Sequence, residues 1–166
     1  MSSDELVQLV DADNQLAGAA PRWRVRTEGL YHRATYLFVF NTAGELFLQR
    51  RAETKDLYPG FYDACAGGVV VAGETYEQNA IREADEELGL EITNPFGVRD
   101  FLFEHETNRV WGRIFRVIAG GPFAFADREV VWGQFVSPQS VLGRQWLPIT
   151  PDSLFALQLL LQAKEA

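Results

Sequence analysis

The sequence predicts an α+β fold in which a mixed sheet lies between helices, an α/β/α sandwich rather than a doubly wound sheet. Two observations carry this: β-rich runs recur along most of the chain, and only two stretches, one central and one terminal, read as convincing helices. The length of 166 residues suits a single domain. Residues 1–30 read as an N-terminal strand or hairpin extension and 31–166 as the core. No internal repeat, low-complexity segment or long linker interrupts the chain.

Taken in order, Leu6–Val10 reads as a short strand entering the turn Asp-Ala-Asp-Asn-Gln, with Leu16–Ala20 as its return. Ala34–Phe40 is dense in β-formers, and Asn-Thr-Ala-Gly-Glu links it to Leu46–Gln49 as a hairpin signal. Pro59-Gly60 punctuates the passage to Ala64–Val71, whose small residues allow two backbone segments to approach closely. Thr75–Leu88 is the first helix: it lacks Pro and Gly, repeats apolar residues at Ala80, Ile81, Ala84 and Leu88, and stops at Gly89. Beyond Asn94-Pro95 come the β-rich runs 96–103, 110–118 and 130–136. Thr150-Pro151 then opens a C-terminal helix with a stripe of Leu154, Leu157, Leu160 and Leu161.

The net charge of -8 argues against general binding of nucleic acid or anionic membrane, which needs basic patches. The single cysteine, Cys65, excludes an internal disulfide framework and suits a reducing compartment. No apolar run approaches 18 residues and the N-terminus lacks signal-peptide form, so the expected setting is soluble and cytoplasmic.

The central helix carries the chemistry. Glu83, Glu86 and Glu87 stand at i, i+3 and i+4 and share one face. Like charges at that spacing cost a few tenths of a kcal/mol per pair unless a cation compensates, and a hard divalent ion is the natural one. A solvated acidic face would explain the helix alone. Gly68, Glu74 and Arg82 in register make the stronger case.

Gly68, Glu74, Arg82-Glu83, Glu86-Glu87, Gly89 and Leu90 match the Nudix box, GX5EX7REUXEEXGU, where U is bulky and apolar. One U position holds the small Ala84. Seven fixed identities at roughly 6% usage each arise by chance about once in 10⁸ to 10⁹ start positions. The flanking His32-Arg-Ala34, Gln49-Arg-Arg51, Lys55, Pro59-Gly60 and Gly67-Gly68 resemble the Nudix branch related to isopentenyl-diphosphate isomerase, over roughly residues 5 to 160.

The resemblance implies the Nudix sandwich, with the box as strand–loop–helix–loop, and a small-molecule diphosphate substrate. It implies Mg²⁺ or Mn²⁺ bound by Glu83, Glu86 and Glu87 with help from the Gly67 carbonyl. Arg82 would pair with a neighbouring carboxylate, and Glu74 would orient the cluster or assist water activation. Gly67, Gly68 and Gly73 would let the loop wrap closely. Arg50, Arg51 and Lys55, just before the glycine loop, are candidates for substrate phosphate, as is Gly68. Glu104, Glu106 and Glu129 are the candidates for a later metal ligand. His32 reads as a core hydrogen-bonder or a substrate contact, and His105 as a loop residue. A homodimer is compatible with the resemblance, with the exposed segment around Trp23 as one surface for it.

Three readings follow. The first is hydrolysis of a pyrophosphate bond in a nucleoside diphosphate linked to another group or a related small diphosphate. The second is isomerisation of an isoprenoid diphosphate, which needs a thiol. Aligned on Pro59-Gly60, that thiol falls at Gly67 rather than Cys65, and Asn108-Arg-Val110 stands where the isomerase has a Glu-x-Glu pair. The third is a non-catalytic nucleotide-binding module, which has no use for an intact box.

Overall fold

The computed structural model describes residues 3–165. It comprises eight strands, β1 (Leu6–Val10), β2 (Leu16–Pro21), β3 (His32–Phe40), β4 (Leu46–Arg51), β5 (Tyr62–Asp63), β6 (Gly97–His105), β7 (Asn108–Ile118) and β8 (Val130–Val136). Four helices accompany them, α1 (Arg22–Glu28), α2 (Tyr76–Leu88), α3 (Pro138–Leu142) and α4 (Pro151–Glu165). The sheet is mixed: β3 runs parallel to β7 from His32↔Val110 to Phe40↔Ile118, whereas β6 pairs β7 and β8 pairs β4 antiparallel.

The alternation of β3 explains the layers. Tyr36, Phe38 and Phe40 enter one cluster with Leu154, Leu157 and Leu160 of α4. Leu37 and Val39 enter the other with Tyr76, Ala80, Ala84 and Leu88 of α2. A strand buried on both faces has no polar positions to alternate with, hence the nearly continuous apolar run. The expected α/β/α sandwich is observed.

Helix α2 begins with a capping box: Thr75 Oγ1 accepts from Gln78 N and Gln78 Oε1 from Thr75 N, at 3.1 and 2.9 Å. It ends where Gly89 takes φ 62°. Ala84, small for its motif position, is fully buried where α2 meets the sheet.

Two elements depart from expectation. The segment around Trp23 is a helix, α1, docked through Val25 on Val7, Ala20 and Val69. Its seven residues are too few for an apolar period to show in sequence. Ala64–Val71 is not a continuous strand; beyond β5 it meets the sheet only at single bridges such as Leu37↔Ala66 and Ala34↔Val69. The close approach expected there is present at Gly67, φ +127°, where a Cβ would lie 2.1 Å from the Thr35 carbonyl oxygen. Gly73 departs in its reason. A Cβ there would meet nothing, and it is the turn's φ of +88° that calls for glycine.

Candidate metal and diphosphate site

On α2 the motif carboxylates separate. Glu83 and Glu87, one turn apart, face inward and are 1% and 4% exposed. Each offers an oxygen within 4.8 Å of the other and of Glu129, which precedes β8. Glu86 stands outside this group: its side chain is 44% exposed and accepts from Arg82 Nη1 at 3.0 Å. Shared helical spacing put all three on one broad face, but only the i, i+4 pair reaches the interior. Of the three later carboxylates, Glu129 alone joins the group. Glu104 accepts from the Tyr31 hydroxyl at 3.0 Å, and Glu106 is exposed in the β6–β7 turn.

Arg82 and Glu74 form a brace. Glu74 accepts from Arg82 Nε at 2.8 Å and Nη2 at 3.1 Å, from Asn79 Nδ2 at 3.0 Å and from Val71 N at 3.1 Å. Burial works against the charge, but Arg82, Asn79 and the Val71 N–H hold the Glu74 carboxyl below its usual range. With both oxygens engaged, Glu74 fixes the loop to the helix.

Burial pushes the Glu83 and Glu87 carboxyls up. Arg82 opposes this at Glu83, while Glu86 and Glu129 add to it. Glu83 adds to it at Glu87. Glu87 Oε2 accepts from Gly67 N at 3.1 Å. Glu83 Oε1 has no hydrogen-bond partner among the described residues and sees only Arg82 Nη1 at 3.4 Å. The bare Cα of Gly68 makes room for it, since a Cβ would lie 2.9 Å from that oxygen. Buried like charges with an orphaned oxygen suit a hard divalent cation, whose ligands are oxygens.

Glu129 lines a cleft together with Gly67, Gly68, Lys55 and Arg51, the two glycines standing against Glu87 and Glu83. Lys55 Nζ donates to Glu129 at 3.2 Å. Arg51 donates to Asp63 at 3.1 Å and to the Leu57 carbonyl at 2.8 Å. Arg50 is not brought to the cleft: it is exposed and donates to the Gly60 carbonyl at 3.1 Å. Successive strand residues point to opposite faces, so one of the two arginines had to turn away.

The cleft also holds residues outside any motif. From α1 come Arg22 and Arg26, both bonded to Asp56, with Arg22 Nε at 2.7 Å. Tyr36 donates to Asp152 at 2.8 Å. Tyr58 and Asn108 also line it. An interior aromatic, a turn asparagine and two arginines of a short helix carry no sequence pattern that marks them. His32 is fully buried, with Nδ1 2.9 Å from the Leu30 carbonyl. Burial, with Arg26 and Arg22 nearby, lowers its pKa to about 3, so it is neutral. His105 is an exposed residue ending β6. Cys65 lines the cleft, but burial and then Asp63 push its thiol well up, the reverse of an activated nucleophile.

The sequence and the fold recur in known proteins. The NUDIX domain model matches residues 30–156. The chain is 42% identical over 160 residues to the Nudix hydrolase YfcD of Escherichia coli strain K12, covering 96% of this chain and 88% of that one. It is 39% identical over 163 residues to a Nudix hydrolase of Pseudomonas aeruginosa, covering 98% and 96%. Among solved structures, DR0079 from Deinococcus radiodurans superposes with a TM-score of 0.80 at 26% identity, covering 93% and 98%. A MutT protein from Methanosarcina mazei shares the fold, with a TM-score of 0.68 at 23% identity over 81% and 95%. The chain belongs to the Nudix hydrolase family. Among the described residues, no helix is long and apolar enough to cross a membrane.

Proposed function

We propose that the protein is a divalent-metal-dependent pyrophosphohydrolase that splits a diphosphate bond in a nucleoside diphosphate linked to another group, or in a related small diphosphate. The observation that carries this is the buried group Glu83, Glu87 and Glu129, with one Glu83 oxygen left without a hydrogen bond, which meets through Glu129 a cleft that also holds Lys55 and Arg51. These three carboxylates would hold Mg²⁺ or Mn²⁺, with Gly67 beside them. Such an ion, when bound, supplies positive charge against the diphosphate and acidifies water for attack. Glu86 remains a candidate ligand, since releasing Arg82 would free it.

The protein's own groups do the rest. Lys55 sits where it can turn from Glu129 to a phosphate oxygen, and Arg51 keeps a fixed fork of donors on the same wall. The Glu74–Arg82 brace keeps α2 and the glycine loop in one geometry, and preorganised charge costs no rearrangement during reaction.

The test is release of phosphate or nucleotide from a panel of pyrophosphate compounds with Mg²⁺. Glu83→Gln and Glu87→Gln should each lower turnover by more than about 100-fold, because even partners one shell out from a metal cost 10–100-fold. Cleavage of no compound by the wild type, or full activity in both variants, would overturn the reading. An isomerase reading would instead require Cys65→Ala to abolish double-bond migration.

A further inference from the structure

Arg26 of α1 lines the cleft. Its Nε donates to Asp56 Oδ2 at 3.3 Å, but Arg22 already holds that carboxylate, with Nε on Oδ2 at 2.7 Å and Nη2 on Oδ1 at 3.3 Å. The terminal nitrogens of Arg26, Nη1 and Nη2, make no hydrogen bond among the described residues and keep open surface, on a side chain that is 19% exposed. The charged end of the side chain reaches the cleft, since His32 and Tyr58, both in the lining, feel its charge. Arg22 and Arg51 stand close enough to act on Arg26 in turn, and burial together with these like charges works against its cationic form. Gathering three guanidinium groups on one cleft carries a cost that an anion would offset.

The acids in the lining are engaged elsewhere: Asp63 accepts from Arg51, Glu129 from Lys55 and Asp152 from the Tyr36 hydroxyl. A guanidinium fork with both terminal nitrogens open matches the paired oxygens of a phosphate or a carboxylate. Lys55 marks the metal-facing end of the cleft through its bond to Glu129. Arg22 stands between the two ends, felt by Glu129 and by Arg26 alike. We infer that Arg26 binds an oxyanion of the substrate, a phosphate or a carboxylate, in a subsite apart from the diphosphate held at the metal-facing end. The substrate class is then a diphosphate compound that carries one further anionic group. This rests on the hydrolase reading in taking the cleft as the substrate site.

The experiment uses the metal-free protein, so that binding is read without turnover. Inorganic phosphate and acetate are titrated separately and followed at the arginine Nε–Hε resonances by ¹⁵N NMR. At least one of them should bind saturably and move the Arg26 resonance, and the tighter of the two names the group. Arg26→Gln should weaken that binding about tenfold or more. Arg26→Lys keeps the charge without the fork and should weaken it about threefold or more, which serves if the glutamine variant does not fold. Arg24→Gln, an exposed arginine of the same helix paired with Glu28, and Lys55→Ala should each leave it within about twofold. No saturable binding, an unmoved Arg26 resonance, or a folded Arg26 variant with unchanged affinity would overturn the inference. An equal loss in Lys55→Ala would overturn it too, by moving the anion to the metal-facing end. The substrate class is read from two pairs of probes that differ by an anionic group, NAD with NADP and UDP-glucose with UDP-glucuronate. In at least one pair the more anionic member should bind about tenfold tighter, and Arg26→Gln should erase that advantage. No advantage in either pair would overturn the class. Anion binding at Arg26 without any diphosphate hydrolysis would sink only the hydrolase reading. Hydrolysis without an effect of Arg26 would sink only this one.

Discussion

Two acidic groups meet at the same cleft, one lining it and the other reaching it through Glu129, and they are built in different ways. Asp63 and Asp152 are each met by a partner of this chain: Arg51 on Asp63 at 3.1 Å and the Tyr36 hydroxyl on Asp152 at 2.8 Å. Glu83, Glu87 and Glu129 are gathered within 4.8 Å, with Lys55 on Glu129, the Gly67 N–H on Glu87, and one Glu83 oxygen left without a hydrogen bond. Each member of the first pair accepts a hydrogen bond from this chain. The second group gathers three carboxylates against Lys55 and Arg82 and leaves a buried oxygen without a hydrogen bond, an arrangement that suits an added cation. Burial density alone would not tell them apart.

The contrast breaks most visibly if one partner is removed from the first pair. Asp63→Asn leaves the largely buried Arg51 charge without its counter-ion, and should cost about 3–5 kcal/mol in a denaturant titration. Unchanged stability would mean that Arg51 is satisfied by the Leu57 carbonyl alone. Glu87→Gln should behave the other way round. It relieves repulsion with Glu83, so the metal-free protein should melt at the same temperature or higher, while hydrolysis falls by more than about 100-fold. A variant that lost both stability and activity would make Glu87 structural.

The next effect is smaller and depends on pH. Burial raises the Glu83 and Glu87 carboxyls above the ordinary glutamate value of about 4.3. Over the interval above that value the folded state therefore holds more protons than the unfolded state. Their contribution to stability is complete below it and is lost as pH rises through the raised folded values. Mg²⁺ bound at the proposed site should reverse the loss by replacing the protons. At about ten times its dissociation constant it adds about 1.4 kcal/mol, or roughly 3–6 °C in melting temperature for a chain of this size. The increment should grow between pH 5.5 and 8. An increment equal at both would show that the ion binds elsewhere.

How much of this was legible in sequence follows from range. The sandwich was legible because β3 is apolar on both faces and α2 carries its own cap and stop, all local properties. The inward carboxylate pair of α2 was legible because Glu83 and Glu87 lie one turn apart. Glu129 could only be one of three candidates: it joins the group through the β4–β8 pairing, which brings Arg51 opposite Val130 across some eighty residues of chain. Arg22, Arg26 and Asn108 also reach the cleft through the tertiary fold, the two arginines by contacts to Asp56, 34 and 30 residues away along the chain, and no spacing rule announces them. Arg50 shows the converse failure, since two adjacent arginines look alike until the strand assigns them opposite faces.

That last distinction gives the smallest and most discriminating measurement. Arg50 and Lys55 are both cations just before the glycine loop, yet only Lys55 lines the cleft and touches Glu129. Arg50 holds the Gly60 carbonyl at the surface, with Glu53 at 3.9 Å. An exposed pair of that kind contributes 0–1 kcal/mol. Arg50→Ala should therefore move the melting temperature by no more than about 2 °C and leave KM for any cleaved diphosphate within about twofold. Lys55→Ala should raise KM about tenfold through the lost phosphate contact. Equal effects from the two variants would mean that charge near the cleft matters and its placement does not.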